Sequence, residues 1–226
     1  VAYLTTSSVG TGFADIPGVR PVAHQNVIST AIRALAAERH PACLLDTQAA
    51  FIFVNEAWDR RAIEGGQDPS ALGGELIGTS WVVHVAGEQA RRRRAELFER
   101  ALRGRGARRA VVQVGEWNTP TTAALLSTRL EPVLVNGGDA IAISVVHTIV
   151  RERPIAEVYE VVDRPAGSYR VEGGAIVQCS CCGRVQDPEQ PDRWDLVPAL
   201  LLAPGPATHV ICDLCAALHY GPDHHS

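Results

Sequence analysis

The chain has 226 residues, enough for one ordinary domain with a smaller module and for a core that needs no covalent staples. With 46% hydrophobic and 20% charged residues and a formal net charge of −4, its composition excludes a disordered chain. Net charge gives no case for nucleic acid. No apolar run approaches the ~20 residues of a membrane helix. The first twenty residues lack the basic and apolar stretches of a secretory signal, so the expectation is a cytoplasmic protein without membrane contact.

In chain order, residues 1–40 read as a flexible leader followed by an amphipathic helix over 22–39. Val27, Ile28, Ala31, Ile32 and Leu35 form its apolar stripe, and Pro41 stops it. That stripe either packs on its own domain or forms a homodimer contact. Two strand-like runs follow, "ACLLDT" and "FIFVN", then a helical turn, "EAWDRRA". A loop dense in Gly and Pro, "GGQDPSALGGE", leads to "LIGTSWVVHV" and a longer helix over 88–103. Three β-like runs come next: "RRAVVQVG", "TAALLSTRLEPVLV" and "AIAISVVHTIV". Asn136-Gly137-Gly138-Asp139 joins the last two with hairpin chemistry. Strands split around a helical insert predict an α+β domain with a five-stranded antiparallel sheet and helices on one face.

Residues 41–150 resemble a PAS domain, the sensory module of bacterial signalling proteins. The resemblance is carried by "LLDTQAAFIFVNEAW", with Asn55 and Trp58 after the hairpin, by "ELIGTSW" at the entry to the longer helix, and by the three final strands. It implies a pocket between sheet and helices that holds a small ligand. Arg94, Trp81, His84 and Asn55 are the candidate ligand-binding residues.

Arg94 stands out on helical geometry alone. With Ala90 placed at 0°, it falls at about 40°, in the middle of the face formed by Leu97, Phe98, Ala101 and Leu102. A guanidinium there must pair, snorkel or bind an anion. The neighbouring arginines, from Arg91 to Arg109, lack interleaved aromatics and read as a solvated or partner-facing surface.

Five of the six cysteines lie near the C-terminus. Cys179-x-x-Cys182 and Cys212-x-x-Cys215 are separated by 29 residues. Two such knuckles bring four thiolates to one tetrahedral site, the donor set of structural zinc; iron would also fit. The competing readings are redox or disulfide chemistry and plain buried cysteines. Cys181 sits between two ligands and should point away from the metal, as a supporting or redox-active thiol. His209, three residues before Cys212, is a candidate donor to a cysteine sulfur. "DRWDLVPALL" could form a short helix filling the gap.

The segment from Cys179 to Cys215 also resembles a cysteine module found after PAS domains in bacterial signalling proteins. Arg184, Trp194, Pro198 and His209 match its layout, while Cys181 departs from it.

Haem would need an axial ligand, with His84 and His147 on offer, and the longer helix contains no histidine. The cysteine motif of flavin photoreceptors is replaced by "NEAWDR", which leaves only non-covalent flavin.

The expected organisation is leader and helix 1–40, PAS-like sensor 41–150, linker 151–175, four-cysteine module 176–220 and tail 221–226. The expected role is a non-enzymatic sensor, since no acid–base pair or activated nucleophile stands outside the cysteines. The PAS-like domain would bind a small ligand or dimerise, zinc would be structural, and output would pass to a downstream signalling protein. Alternatives are a thiol redox sensor, a haem or flavin sensor, and a nucleic-acid-binding zinc protein.

Overall fold

The computed structural model describes residues 22–104, 110–135, 138–162, 164–202 and 205–220. The leader through residue 20, Arg105, Arg108 and Arg109, the Asn136-Gly137 half of the hairpin turn, and the tail 221–226 lie outside the described residues.

A helix, α1 (Val22–Ala36), precedes strands β1 (Ala42–Leu45) and β2 (Phe51–Val54). The insert contains α2 (Glu56–Glu64), a 3₁₀ turn at Pro69–Ala71, α3 (Gly73–Leu76) and α4 (Glu88–Leu102). Strands β3 (Val111–Asn118), β4 (Thr122–Leu134) and β5 (Ala140–Pro154) complete an antiparallel sheet in the order β2-β1-β5-β4-β3. This is the expected PAS-like sheet with its insert between the second and third strands.

The four apolar residues of β1 are all buried because both faces of the sheet are covered. Cys43 and Leu45 face α4, in a core with Phe51, Leu97, Phe98, Ile143 and Val145. Ala42 and Leu44 face the other way, against Ile28 and Leu35 of α1. The apolar stripe of α1 is therefore turned onto its own sheet. The helix ends at Ala36, short of the expected residue 39.

Asn55 fixes where these layers meet. It caps α2, its Oδ1 accepting from the backbone N–H groups of Trp58 (3.0 Å) and Ala42 (2.9 Å). Its Nδ2 donates to the carbonyls of Leu35 (3.2 Å), Glu38 (3.1 Å) and His40 (2.9 Å). One buried amide thus ties the end of α1, the start of β1 and the start of α2 together.

The second unit begins earlier than expected. Residues 151–175 are not a bare linker: β5 runs to Pro154, and α5 (Ile155–Val158) follows. A 3₁₀ turn at Ala166–Tyr169 then buries Tyr169 completely. Its ring packs with Ile176, Val185, Val197 and Leu200, and its hydroxyl donates to Asp195 Oδ2 at 2.7 Å. A second sheet has the order β8-β7-β6-β9, with β6 (Ile176–Cys179), β7 (Val185–Asp187), β8 (Gln190–Asp195) and β9 (Ala207–Val210). β6 and β9 run parallel. The expected helix over "DRWDLVPALL" is half strand: β8 takes its start, and α6 (Pro198–Leu202) takes its end. A final helix, α7, spans Asp213–Tyr220.

Asn55→Ala leaves backbone groups without partners at a buried junction and is expected to cost about 3 kcal/mol. That corresponds to roughly 10 °C in the thermal midpoint for a chain of this size. Asn55→Asp keeps both acceptor bonds but sets a carboxylate against three carbonyls, and should be at least as damaging. Thermal denaturation followed by circular dichroism checks both.

Candidate ligand and metal sites

The topology of the second unit brings the two cysteine pairs together. β6 ends at Cys179 and parallel β9 runs beside it, so the chain leaves β9 next to the first knuckle, with Cys212 two residues on. Cys215 sits in the first turn of α7. The tight turn after Cys179 closes through Gly183 N–H donating to the Cys179 carbonyl at 3.0 Å. Gly183 has φ +75°, which favours glycine, and a Cβ there would also displace the Leu201 side chain.

The sulfurs of Cys179, Cys182, Cys212 and Cys215 all lie within 4.8 Å of one another, and all four residues are buried. Cys182 Sγ and Cys212 Sγ are 3.8 Å apart. A regular tetrahedron with metal–sulfur arms of about 2.3 Å has edges of about 3.8 Å. The donor set and spacing therefore fit zinc, and each cysteine is a free thiol. Backbone N–H groups of Cys181 and Cys212 donate to Cys179 Sγ, both at 3.4 Å, which favours charge on that sulfur. The surrounding thiols hold Cys179 far below the ordinary thiol range.

Cys181 is outside this cluster of four. Interaction with Cys179 pushes its thiol up to about 12, the range of a neutral thiol. His209 does not serve the sulfurs either. It lies in β9, pairs with Gln178 through the backbone, and makes no hydrogen bond to cysteine among the described residues.

Both residues line a cavity instead. This cavity, about 590 Å³, lies between the inner face of the first sheet, the insert helices and the cysteine unit. Phe51, Trp58, Trp81 and Trp117 supply aromatic walls, and Arg94, Thr128 and His147 supply polar ones. The far wall is the knuckle itself, from Gln178 to Gly183, with His209 and His219.

Polar contacts seat this wall. Asn118 Nδ2 donates to the Cys182 carbonyl (2.9 Å), and Arg93 Nη2 donates to the His219 carbonyl (3.2 Å). Gln113 Nε2 lies 3.2 Å from His219 Nδ1. At Gly87, with φ +86°, a Cβ would come within 2.5 Å of Ser180 Oγ and 2.9 Å of His209 Cβ. The N-terminus of α4 can approach the cysteine unit this closely only as glycine.

Arg94 is half-buried at the cavity wall. Its Nη1 donates to the Trp81 carbonyl at 2.9 Å, and its guanidinium lies 4.6 Å from the Trp81 ring centroid. Among the described residues no carboxylate pairs with it. Burial pulls it down to about 10. Trp81 is 2% exposed, and its indole Nε1 has no partner among the described residues. His84 lines the cavity from an exposed position, with Nε2 engaged by Thr79 Oγ1 at 2.7 Å. Asn55 is a correction: it is absent from the cavity lining, and its amide is fully used in joining α1, β1 and α2.

His147, considered from sequence only as a haem ligand, is a central part of the wall. It is 8% exposed, stands edge-on to Trp58 and Trp117, and places Nδ1 2.8 Å from Thr128 Oγ1. Its Nε2 is buried without a partner among the described residues. Gln113, Trp117 and Asn118 were also missed. The signal was an inverted strand: in β3 the exposed positions are Val112 and Val114, while Gln113, Gly115 and Trp117 face the cavity.

No family model matches the sequence, and no curated protein matches it. Among solved structures, the chain is similar to the PAS domain of Bordetella pertussis BvgS, with 14% identity and TM-score 0.43 over 59% of this chain and 91% of that one. It is similar to the Rhodobacter sphaeroides LOV protein (12% identity, TM-score 0.41, 56% of this chain and 68% of that one). The PAS domain of nitrogen regulation protein NR(II) from Vibrio parahaemolyticus is a third, at 12% identity and TM-score 0.33, over 52% of this chain and 95% of that one. These TM-scores are below one half, so the PAS-like description rests on the strand order and the helical insert.

Burial, reinforced by Arg94, pulls the His147 imidazole down to about 3 from an ordinary 6.5. The unfolded chain takes up a proton there that the folded chain refuses. Stability from this group is present above about pH 6.5 and is lost as pH falls toward 3. His147→Gln should therefore flatten the fall in thermal midpoint between about pH 7 and pH 5 relative to the parent protein. A slope unchanged by the substitution would show that His147 does not carry this dependence.

Proposed function

We propose that this chain is a small-molecule sensor in which a PAS-like domain supplies most of a ligand pocket and a structural zinc module supplies its remaining wall. The observation that carries this reading is the composition of the cavity. Its volume suits a small organic ligand, and its walls combine aromatic rings with buried polar atoms that no group among the described residues satisfies. A packed core leaves few such atoms, whereas a ligand site presents them.

The metal role is structural because four thiolates leave no open coordination position for catalysis. Zinc would be held by Cys179, Cys182, Cys212 and Cys215, and when bound it supplies charge neutralisation and a cross-link between β6, β9 and α7. The polypeptide's own contribution is the two turns and the N–H donors aimed at Cys179. Occupancy of the pocket would shift a population between conformations read by a downstream signalling protein. A homodimer and a cytoplasmic location remain parts of this proposal.

The absorption spectrum of the purified protein is the first test. A colourless protein is expected. A Soret band, a flavin pair or iron–thiolate charge transfer would replace the small-molecule and zinc readings with a haem, flavin or iron sensor. A fragment screen by protein NMR is the second, with compounds expected to shift resonances of cavity residues; a screen with no such compound removes the pocket reading. For the metal, elemental analysis should find a single zinc per chain. Cys212→Ser should lose the zinc and lower the thermal midpoint, while Cys181→Ser should retain it. Zinc loss in Cys181→Ser would make that thiol a ligand.

A further inference from the structure

We propose that the cavity is a composite site for a planar aromatic carboxylate, built jointly by the sheet domain and the cysteine module, so that this ligand and the knuckle metal bind cooperatively. The inference rests on the sensor reading above and names its ligand class and its coupling.

The charge follows from the cavity's acidic and basic groups. Asp68 is engaged in its own turn, its Oδ1 accepting from Ser70 N–H at 2.9 Å. Glu116 lies 3.7 Å from Arg184 and accepts from Asn118 Nδ2. Arg93 has Glu96 at 3.8 Å and the His219 carbonyl. Arg94 is left with a backbone carbonyl and the Trp81 ring, and with no carboxylate among the described residues. One desolvated cation without a counter-charge calls for a monoanion, and the planar fork of arginine matches a carboxylate. A phosphate dianion would bring a second charge with no matching cation.

Two further groups of the cavity lining lack an acceptor. The Trp81 indole N–H is a donor only, is buried, and has no partner among the described residues. When Thr128 donates to His147 Nδ1, His147 Nε2 bears the hydrogen and also seeks an acceptor. The body of the ligand is set by the four aromatic rings of the lining and by a volume that holds a two-ring compound with room for water.

The coupling follows from the far wall. Ser180 and Cys181 lie between two metal ligands in sequence and line the cavity. Ser180 Oγ is buried and has no partner among the described residues. A ligand touching this turn and Arg94 at once binds best to the arrangement that the metal holds. By linkage, the ligand must then tighten the metal.

The test is calorimetric titration of the zinc-loaded full chain with 2-naphthoate and with its neutral isostere 2-naphthamide. Naphthoate should bind at least about tenfold more tightly. Arg94→Gln should remove that preference while leaving naphthamide binding in place, which also shows that the variant is folded. Stripping the metal with a chelator should weaken naphthoate roughly fivefold or more, and naphthoate should slow zinc transfer to a chromogenic chelator. Equal binding of acid and amide, or a preference that survives Arg94→Gln, overturns the ligand class. Naphthoate binding indifferent to the metal overturns the coupling. If neither compound binds at millimolar concentration, the proposal falls. The sensor reading falls with it only if the fragment screen also finds nothing in the cavity.

Discussion

Four sulfurs within 4.8 Å of one another are the constraint from which the rest of the structure follows. As thiolates they repel, and as thiols they waste the N–H donors aimed at Cys179. A divalent cation resolves both problems and fixes the two turns in one geometry. The chain between Cys179 and Cys182 is also a wall of the cavity, so a metal held there would set the position of Ser180 and Cys181 relative to Arg94 and Trp81. The small apolar cluster around Tyr169 and Ile176 supports the module from the other side, away from the sulfurs.

The sheet domain bears the complementary burden. An antiparallel sheet with helices on both faces ordinarily fills its interior with apolar side chains, as β1 and the first half of β5 do here. Toward β3 that rule breaks. His147 follows Ile143 and Val145 on the same face of β5, and in β3 Val112 and Val114 turn outward while Gln113 and Trp117 turn in. Unpartnered polar atoms at such a place reduce stability unless a ligand satisfies them. Local rules fail where the cavity lies.

Much of the architecture was legible. The strand runs, the longer helix and the Cys-x-x-Cys pairs are periodic or repeated signals, and the single five-stranded antiparallel sheet followed from the position of the helical insert. Arg94 was legible too, because a charge on an apolar helix face violates a one-dimensional pattern. What was not legible depends on contacts far apart in sequence. Asn55 sits where a ligand residue was expected, but its amide is taken by carbonyls as far back as Leu35. Tyr169 falls in a stretch of mixed polarity with no period, and only its bond to Asp195 and its pocket of neighbours reveal it as core. His209 was placed near the sulfurs by sequence distance, whereas in β9 its side chain faces the cavity.

The contact between the two units also bears on how a signal could leave the pocket. The sheet domain meets the cysteine module through Gly87, which admits no side chain, and through Asn118 and Arg93, which bond to backbone carbonyls of the knuckle and of α7. Bonds to carbonyls restrain the path of the chain and do not depend on which side chains lie beside it. A ligand that changes the spacing between α4 and β3 must therefore move the knuckle backbone or break these bonds. With four metal–sulfur bonds in place, the knuckle would resist internal distortion and shift as a body. Such a centre would link the cavity to the surface of α7, where Leu214 and Leu218 stand exposed one turn apart.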